Sequence, residues 1–415
     1  ARSLAGWCPA LNDCVFALTV MDLCDRFRLL FFGNLRQDWS EFVLADLGIY
    51  QYETVPFTPE SRAFQRRADV DAYIYMHDCR DRFEAGEAVS DVLADVPRQA
   101  HANPWLEARR GKLLYSLAQQ FERDGALADA QALYRDCTYP GARVRCIRVL
   151  ERCEELATAY AMAEQALEDP ESEAERQHLD RILPRLRRKL GHPKQPRAEP
   201  VPVSRIDVTL TRQLPVELAL RDHFHRDDAP VHYVENTLIN GLFGLLCWDV
   251  LFAPLPGAFF HPFQRGPADL LRPDFHRRRA DAFRERFAEL DSSAYRSTIR
   301  HHYRAKFNLQ SPFVVWGALT PALLDAALDC LPPAHLKLWF ERLLRDIRAN
   351  RAGMPDLIQF YPEERRYRMI EVKGPGDRLQ DNQLRWLDFC ARHDMPVDVC
   401  YVSWSDDGPN GGDRA

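Results

Sequence analysis

No stretch of this chain approaches the ~18 consecutive apolar residues that a membrane span requires. The richest window, Leu238 to Phe252, is interrupted by Asn240, Gly241, Gly244 and Asp249, so no membrane association is expected. The 11 cysteines include no CxxC pair and no Cys/His cluster at zinc spacing, which excludes a structural zinc module. Cys146 and Cys153 read instead as small packed hydrophobes, and reduced thiols suit a cytoplasmic or nuclear protein. A bulk basic excess is also missing: 55 Lys and Arg stand against 61 Asp and Glu, a formal charge of −6. Any nucleic-acid contact must therefore come from local patches. A signal peptide is not expected. The chain begins at Ala1 rather than Met, and the expectation is that its natural start lies upstream.

What the chain does have is room and a motif. At 415 residues, with 46% hydrophobic and 28% charged residues, it can build two or three domains with proper cores. Near its C-terminus, Asp356-Leu-Ile-Gln-Phe-Tyr361 and Arg366-Tyr-Arg-Met-Ile-Glu-Val-Lys373 have strand composition and flank the polar turn Pro362-Glu-Glu-Arg365. Side chains alternate along a strand, so Glu371 and Lys373 share one face and Val372 faces the other way. If the strands pair as a hairpin, Asp356 and Glu371 converge near its open end, with an ammonium beside them. Converging hard oxygen ligands suit Mg²⁺ or Mn²⁺ and metal-assisted hydrolysis of a phosphodiester.

Pro355-Asp356…Glu371-x-Lys373 resembles the PD-(D/E)xK nuclease superfamily. The extension from Glu371 through Gly374-Pro-Gly376 to Gln383-x-x-Trp386-Leu is similar to the virus-type replication-repair nuclease branch, in particular the Fanconi-associated nuclease family. That resemblance implies a restriction-endonuclease-like core in the order helix, strands, helix, strand. It implies metal ligation by Asp356, Glu371, the backbone carbonyl of Val372 and a Glu on the first nuclease-domain helix, where Val234-Glu235 matches best. Gln383 would support the site, and Lys373 would orient or help deprotonate the attacking water and offset charge on phosphorus. Arg351, five residues before Asp356, would help bind the 5′ phosphate of the cut strand. After Arg378, where some relatives carry Lys, this chain reads Asn382-Gln383, a departure that weakens such anchoring.

The rest of the chain reads as helix after helix. A core helix is expected from Asp13 to Phe32, then a short one capped by Ser40 and ending at Gly48, with Arg36 beside it. The resemblance implies a SAP-type DNA-binding element in this region; the other reading is a helix that only packs. Residues 104–190 carry 3.6-residue apolar periodicity and resemble degenerate tetratricopeptide units, or more broadly an array of helical hairpins. Within it Arg145, Arg148 and Arg152 share a helix face, flanked by Arg143, as either a solvated face or a phosphate-gripping stripe. Arg277, Arg278, Arg279, Arg284 and Arg286 form a second candidate backbone contact or solvated face.

Four prolines between Gly191 and Pro202 mark a boundary. Ile206–Leu210 then reads as an edge strand, and a long helix is expected from near Val234, with Glu235 on its buried stripe. Residues 253–350 read as a mainly helical insertion, and the helix after Gly376 is expected to be capped by Asp381 and packed onto the sheet by Leu384, Leu387 and Cys390.

The expected architecture is multidomain, α plus α/β. Residues 1–100 form an N-terminal helical domain, 101–190 a TPR-like helical domain, 191–203 a linker and 204–415 a restriction-endonuclease-like nuclease domain. The expected activity is a structure-specific DNA nuclease using one or two Mg²⁺ or Mn²⁺ ions. By resemblance it cuts 5′ flaps, trims 5′ to 3′ and serves interstrand crosslink repair. The expected partner is branched or 5′-flap double-stranded DNA, bound by a monomer in a bacterial cytoplasm or, in a eukaryote, the nucleus. The rivals are a four-way-junction resolvase on the same domain and a non-catalytic DNA-binding scaffold.

Overall fold

The computed structural model describes residues 19–194, 202–212 and 215–405. The start of the expected first helix, most of the proline-rich boundary and the Gly-rich tail lie outside the described residues. What remains of the first helix is α1 (Met21–Phe32), which ends where Gly33 turns to a φ of +66°. Helix α2 (Ser40–Asp46) begins at Ser40, but Asp38 does the capping: its carboxylate accepts the Ser40 N–H at 2.8 Å. Helices α3 (Arg67–Glu84) and α4 (Val89–Asp95) follow.

An array of antiparallel helices then runs through α5 (Pro104–Asp124), α6 (Leu127–Arg135), α7 (Ala142–Arg152), α8 (Leu156–Glu168) and α9 (Glu173–Lys189). Asn103 opens it by accepting the Trp105 N–H at 2.9 Å. Its core interleaves Ala118, Ala130, Ala159, Ala163 and Ala166 with Tyr134, Ile147, Leu150, Leu179 and Leu186. Small residues let the backbones approach and larger ones fill the remaining space.

The C-terminal domain is built on a mixed sheet in the order β1-β5-β4-β3-β2. Strand β1 (Ser204–Leu210) lies at one edge, parallel to β5 (Val397–Trp404), which is parallel to β4 (Arg366–Lys373). Strands β3 (Leu357–Tyr361) and β4 form the antiparallel hairpin, and the short β2 (Val231–Tyr233) closes the other edge. Helix α10 (Val216–Phe224) covers one sheet face, where Leu220 meets Val231, Ile370, Val372 and Cys400. The other face carries the large core. There α11 (Leu238–Leu246) is buried at every position, followed by α12 (Trp248–Leu251).

The segment between α12 and β3 is largely helical: α13 (Ala280–Ala288), α14 (Ala294–Ala305), α15 (Pro321–Cys330), α16 (Pro333–Arg345) and α17 (Ile347–Asn350). Helix α18 (Asp381–Arg392) connects β4 to β5. Among the described residues no helix is long and apolar enough to cross a membrane.

Two local expectations are corrected here. The long helix from Val234 is instead a turn followed by two short helices, because Asn236 adopts a φ of +54° that a helix cannot continue. Leu384, expected to pack α18 onto the sheet, is 37% exposed; Trp386, Leu387 and Cys390 form the inner face.

Candidate active site

The hairpin register pairs Leu357 with Ile370, so one step further along the ladder Asp356 stands opposite Glu371. Opposed residues of an antiparallel pair share a face. Two backbone contacts fix this end. The Val372 N–H donates to Asp356 Oδ2, and the Val234 N–H donates to the Asp356 carbonyl, both at 2.8 Å. Lys373 Nζ donates to Glu371 Oε1 at 2.6 Å. All three charged groups are removed from water: Glu371 is 0%, Lys373 6% and Asp356 8% exposed.

A buried pair of acids with one cation is electrostatically incomplete. Burial pushes the Glu371 carboxyl well above its ordinary range and the Asp356 charge pushes it further, against the pull of Lys373. Asp356 is likewise raised, by burial first, while the Val372 N–H and Lys373 oppose the rise. Glu371 Oε2 has no hydrogen-bond partner among the described residues. An orphaned, fully buried carboxylate oxygen costs on the order of 1–3 kcal/mol or more unless something cationic answers it. A hard divalent cation is what this donor set fits.

Glu235 lies not on a buried helix stripe but in the exposed turn between β2 and α11. Its carboxylate accepts from the Tyr233 hydroxyl and, at 3.1 Å, from the Asn236 amide. It remains close enough to raise both Asp356 and Glu371 through its charge. Among the described residues no three His, Cys, Asp or Glu side chains already converge tightly enough to enclose an ion. The third acid acts on the pair through its charge while tied to its neighbours.

Several supporting residues were not visible to sequence reasoning. Asn236 Oδ1 accepts the Met354 N–H at 3.1 Å, and Asn240 Nδ2 donates to the carbonyls of Asn236 and Arg351 at 2.6 and 2.8 Å. These two asparagines staple the β2–α11 turn to the segment that delivers Asp356. Glu217, in the first turn of α10, adds a negative charge near Asp356. The one signal was a pair of amides in an otherwise apolar window.

On α18, Gln383 accepts the Gln380 N–H at 2.9 Å, which engages it in the capping box that starts the helix. Asp381 is not the cap; Gln380 is, and Asp381 pairs with Arg181.

The candidate arginines separate sharply. Arg143 is engaged by Glu175 at 2.6 and 2.8 Å, and Arg145 and Arg152 both turn to Glu122. Arg148 is exposed in the cleft between α7 and residues 344–349, with no ion pair among the described residues. Arg351 and Arg36 are exposed too, also without ion pairs among them. In the second cluster, Arg278 and Arg279 hold buried Asp269, Arg284 pairs with Asp281, and Arg286 with Asp249 and Glu289. Arg278 and Arg279 are thus internal scaffolding, the Arg284–Asp281 pair lies open to water, and Arg277 is exposed and outside these pairs among the described residues.

A mixed sheet presenting opposed buried acids and a lysine, with residues 291–404 matching the VRR-NUC domain family, defines a nuclease of that class. The similarity extends beyond that domain. The chain is 58% identical over 407 residues to the Fanconi-associated nuclease 1 homolog of Pseudomonas aeruginosa, covering 97% of this chain and 73% of that one. It superposes with a TM-score of 0.92 and 57% identity on a crystal structure of paFAN1 bound to 5′-flap DNA with a 2-nucleotide flap and a gap, over 98% of this chain and 75% of that one. The chain belongs to the Fanconi-associated nuclease family. Against the Arabidopsis thaliana homolog it is 26% identical over 92% of its own length, but spans about half (49%) of that protein.

Proposed function

We propose that the protein is a divalent-metal-dependent DNA nuclease that recognises branched structure, cuts 5′ flaps and trims 5′ to 3′ in the service of crosslink repair. The observation that carries this is the buried Asp356–Glu371 pair, with one carboxylate oxygen unanswered and Lys373 alongside. Support for the substrate comes from similarity over 98% of the chain to a relative crystallised on 5′-flap DNA.

Asp356, Glu371, Glu235 and the carbonyl of Val372 would hold Mg²⁺ or Mn²⁺. When bound, such an ion polarises the phosphodiester and lowers the pKa of an attacking water. The remaining work falls to the protein. Asp356 is fixed by the Val372 N–H, and Lys373 is held against Glu371, where its ammonium can orient a water and offset charge developing on a phosphate oxygen. Burial of all three groups in a water-poor niche strengthens these interactions. Arg148, Arg351 and Arg36 offer open guanidiniums for the DNA backbone.

The test is a labelled 5′-flap duplex with Mn²⁺, comparing wild type with Asp356→Ala. Cleavage by wild type alone is expected. Equal cleavage by both would remove the mechanism, and no cleavage by either would leave the scaffold reading. Symmetric cutting of a four-way junction by a dimer would favour the resolvase.

A further inference from the structure

Helix α9 of the helical array carries Glu173, Gln177 and Arg181 at four-residue spacing, so all three lie on one stripe. Each is taken up by the nuclease domain. Arg181 forks onto both carboxylate oxygens of Asp381 at 2.6 Å. Gln177 donates to the Asp381 carbonyl at 3.2 Å and accepts from Arg385 at 2.6 Å. Glu173 pairs at 2.6 Å with Arg342, whose guanidinium lies over the rings of Trp386 and Phe389. Two of these three contacts reach the first turns of α18 directly, and the third braces its inner face.

The start of α18 touches both halves of the active site. On one side the loop from Gly374 to Gln380 ties it to Lys373. That loop is closed by Asp377, which accepts the Gly374 N–H at 2.9 Å, and by the Gln380–Gln383 capping box. On the other side lies Gly353, three residues before Asp356. Its φ is +92°, and a Cβ there would come within 2.7–2.8 Å of Asn382. The two segments pass so close that no side chain fits between them at Gly353. A displacement of Asp381 and Asn382 is therefore passed to the segment carrying Asp356 and to the strand end carrying Lys373.

We propose that Gln177 and Arg181 are positioning residues for phosphodiester cleavage: the helical array sets the spacing of Asp356, Glu371 and Lys373 by holding the first turn of α18. The array is then part of the catalytic apparatus and not only a surface for DNA. The inference rests on the nuclease reading above. Arg181 and Asp381 are 41% and 42% exposed, and a pair that open to water contributes little to folding. Its loss should thus leave the fold intact, which separates positioning from stability. A misplacement of the reacting groups by a fraction of an ångström is enough to slow chemistry roughly tenfold.

The experiment uses the whole chain, a 5′-flap duplex and Mn²⁺. Arg181→Gln is expected to lower the single-turnover rate roughly tenfold, with KM and DNA affinity in Ca²⁺ within about twofold and an unchanged melting temperature. Gln177→Ala should move the rate in the same direction by less. The double variant Arg181→Asp, Asp381→Arg should recover most of the rate. A rate within about twofold of wild type in Arg181→Gln would overturn the proposal, as would a loss matched by weaker DNA binding, or a charge swap no faster than Arg181→Gln. If wild type does not cut, or Asp356→Ala cuts equally well, the nuclease reading fails, and this proposal with it. Normal cutting by wild type and by Arg181→Gln overturns only the positioning role.

Discussion

Two carboxylates are buried to the same degree and treated in opposite ways. Asp269 is 1% exposed and fully answered: Arg279 grips both its oxygens at 2.9 and 3.0 Å, and Arg278 adds a third contact. Glu371 is 0% exposed and half answered, with Lys373 on one oxygen and, among the described residues, nothing on the other. The first arrangement holds a loop against α13. The second leaves a charge deficit at the end of a rigid hairpin, which is where an exogenous cation can be bound.

The contrast is broken most directly by neutralising each acid in turn. Glu371→Gln should cut cleavage of a 5′-flap by at least about a hundredfold, while the metal-free protein melts no lower than wild type, since repulsion with Asp356 is relieved. Asp269→Asn should do the reverse. It leaves two buried or half-buried guanidiniums uncompensated, at a cost of about 3–5 kcal/mol, and whatever remains folded keeps its cleavage rate. Calorimetric melting beside a flap assay reads both. A Glu371→Gln protein that unfolds early would make that site structural after all.

A third buried group sharpens the comparison because it needs no partner charge. His261 packs among Phe31, Phe32, Phe260 and Phe263, where α1 meets the nuclease domain, and burial holds its pKa down to about 4. Its Nδ1 accepts the Phe263 N–H at 3.2 Å, which fixes the neutral ring. The unfolded chain binds this proton below pH ~6.5 and the folded chain does not. The contribution is thus complete above that pH and lost as pH falls toward about 4, at most ~3 kcal/mol. His261→Asn, which keeps an acceptor, should melt with a shallower pH slope between 4 and 6.5. Equal slopes would show that the ring is already protonated in the native state.

Much of the β3–β4 hairpin was legible because its information is local. Strand composition on both sides of Pro362–Arg365 determines the pairing, and the pairing puts Asp356 opposite Glu371. The first helix of the domain was not legible in the same way. Apolar periodicity runs through Val234 to Leu246 without a break, and only the left-handed backbone of Asn236 moves Glu235 into the turn. The asparagine staples were invisible because their partners, Met354 and Arg351, lie more than a hundred residues away. Arginines suffered most. Helical spacing reveals which face a side chain shares and nothing about the acid across the gap. Glu122, Glu175 and Asp269 therefore claimed residues that read as free phosphate contacts.

The smallest effect expected separates two arginines five residues apart on α7. Arg143 is spent on Glu175, which is 3% exposed, whereas Arg148 is open in the cleft facing residues 344–349. If the cleft meets DNA, Arg148→Ala should weaken binding a few-fold at low salt and reduce the slope of log affinity against log salt by about one, since one counterion fewer is released. Arg143→Ala should leave that slope unchanged and instead lower stability by about 1–3 kcal/mol, because it strands a buried carboxylate. Titrations of a flap duplex at several salt concentrations, without cleaving metal, distinguish the two. A changed slope in Arg143→Ala would mean that DNA displaces Glu175 and that the internal pair is a resting state. An unchanged slope in Arg148→Ala would put the phosphate path elsewhere, with Arg351 and Arg36 the next positions to vary.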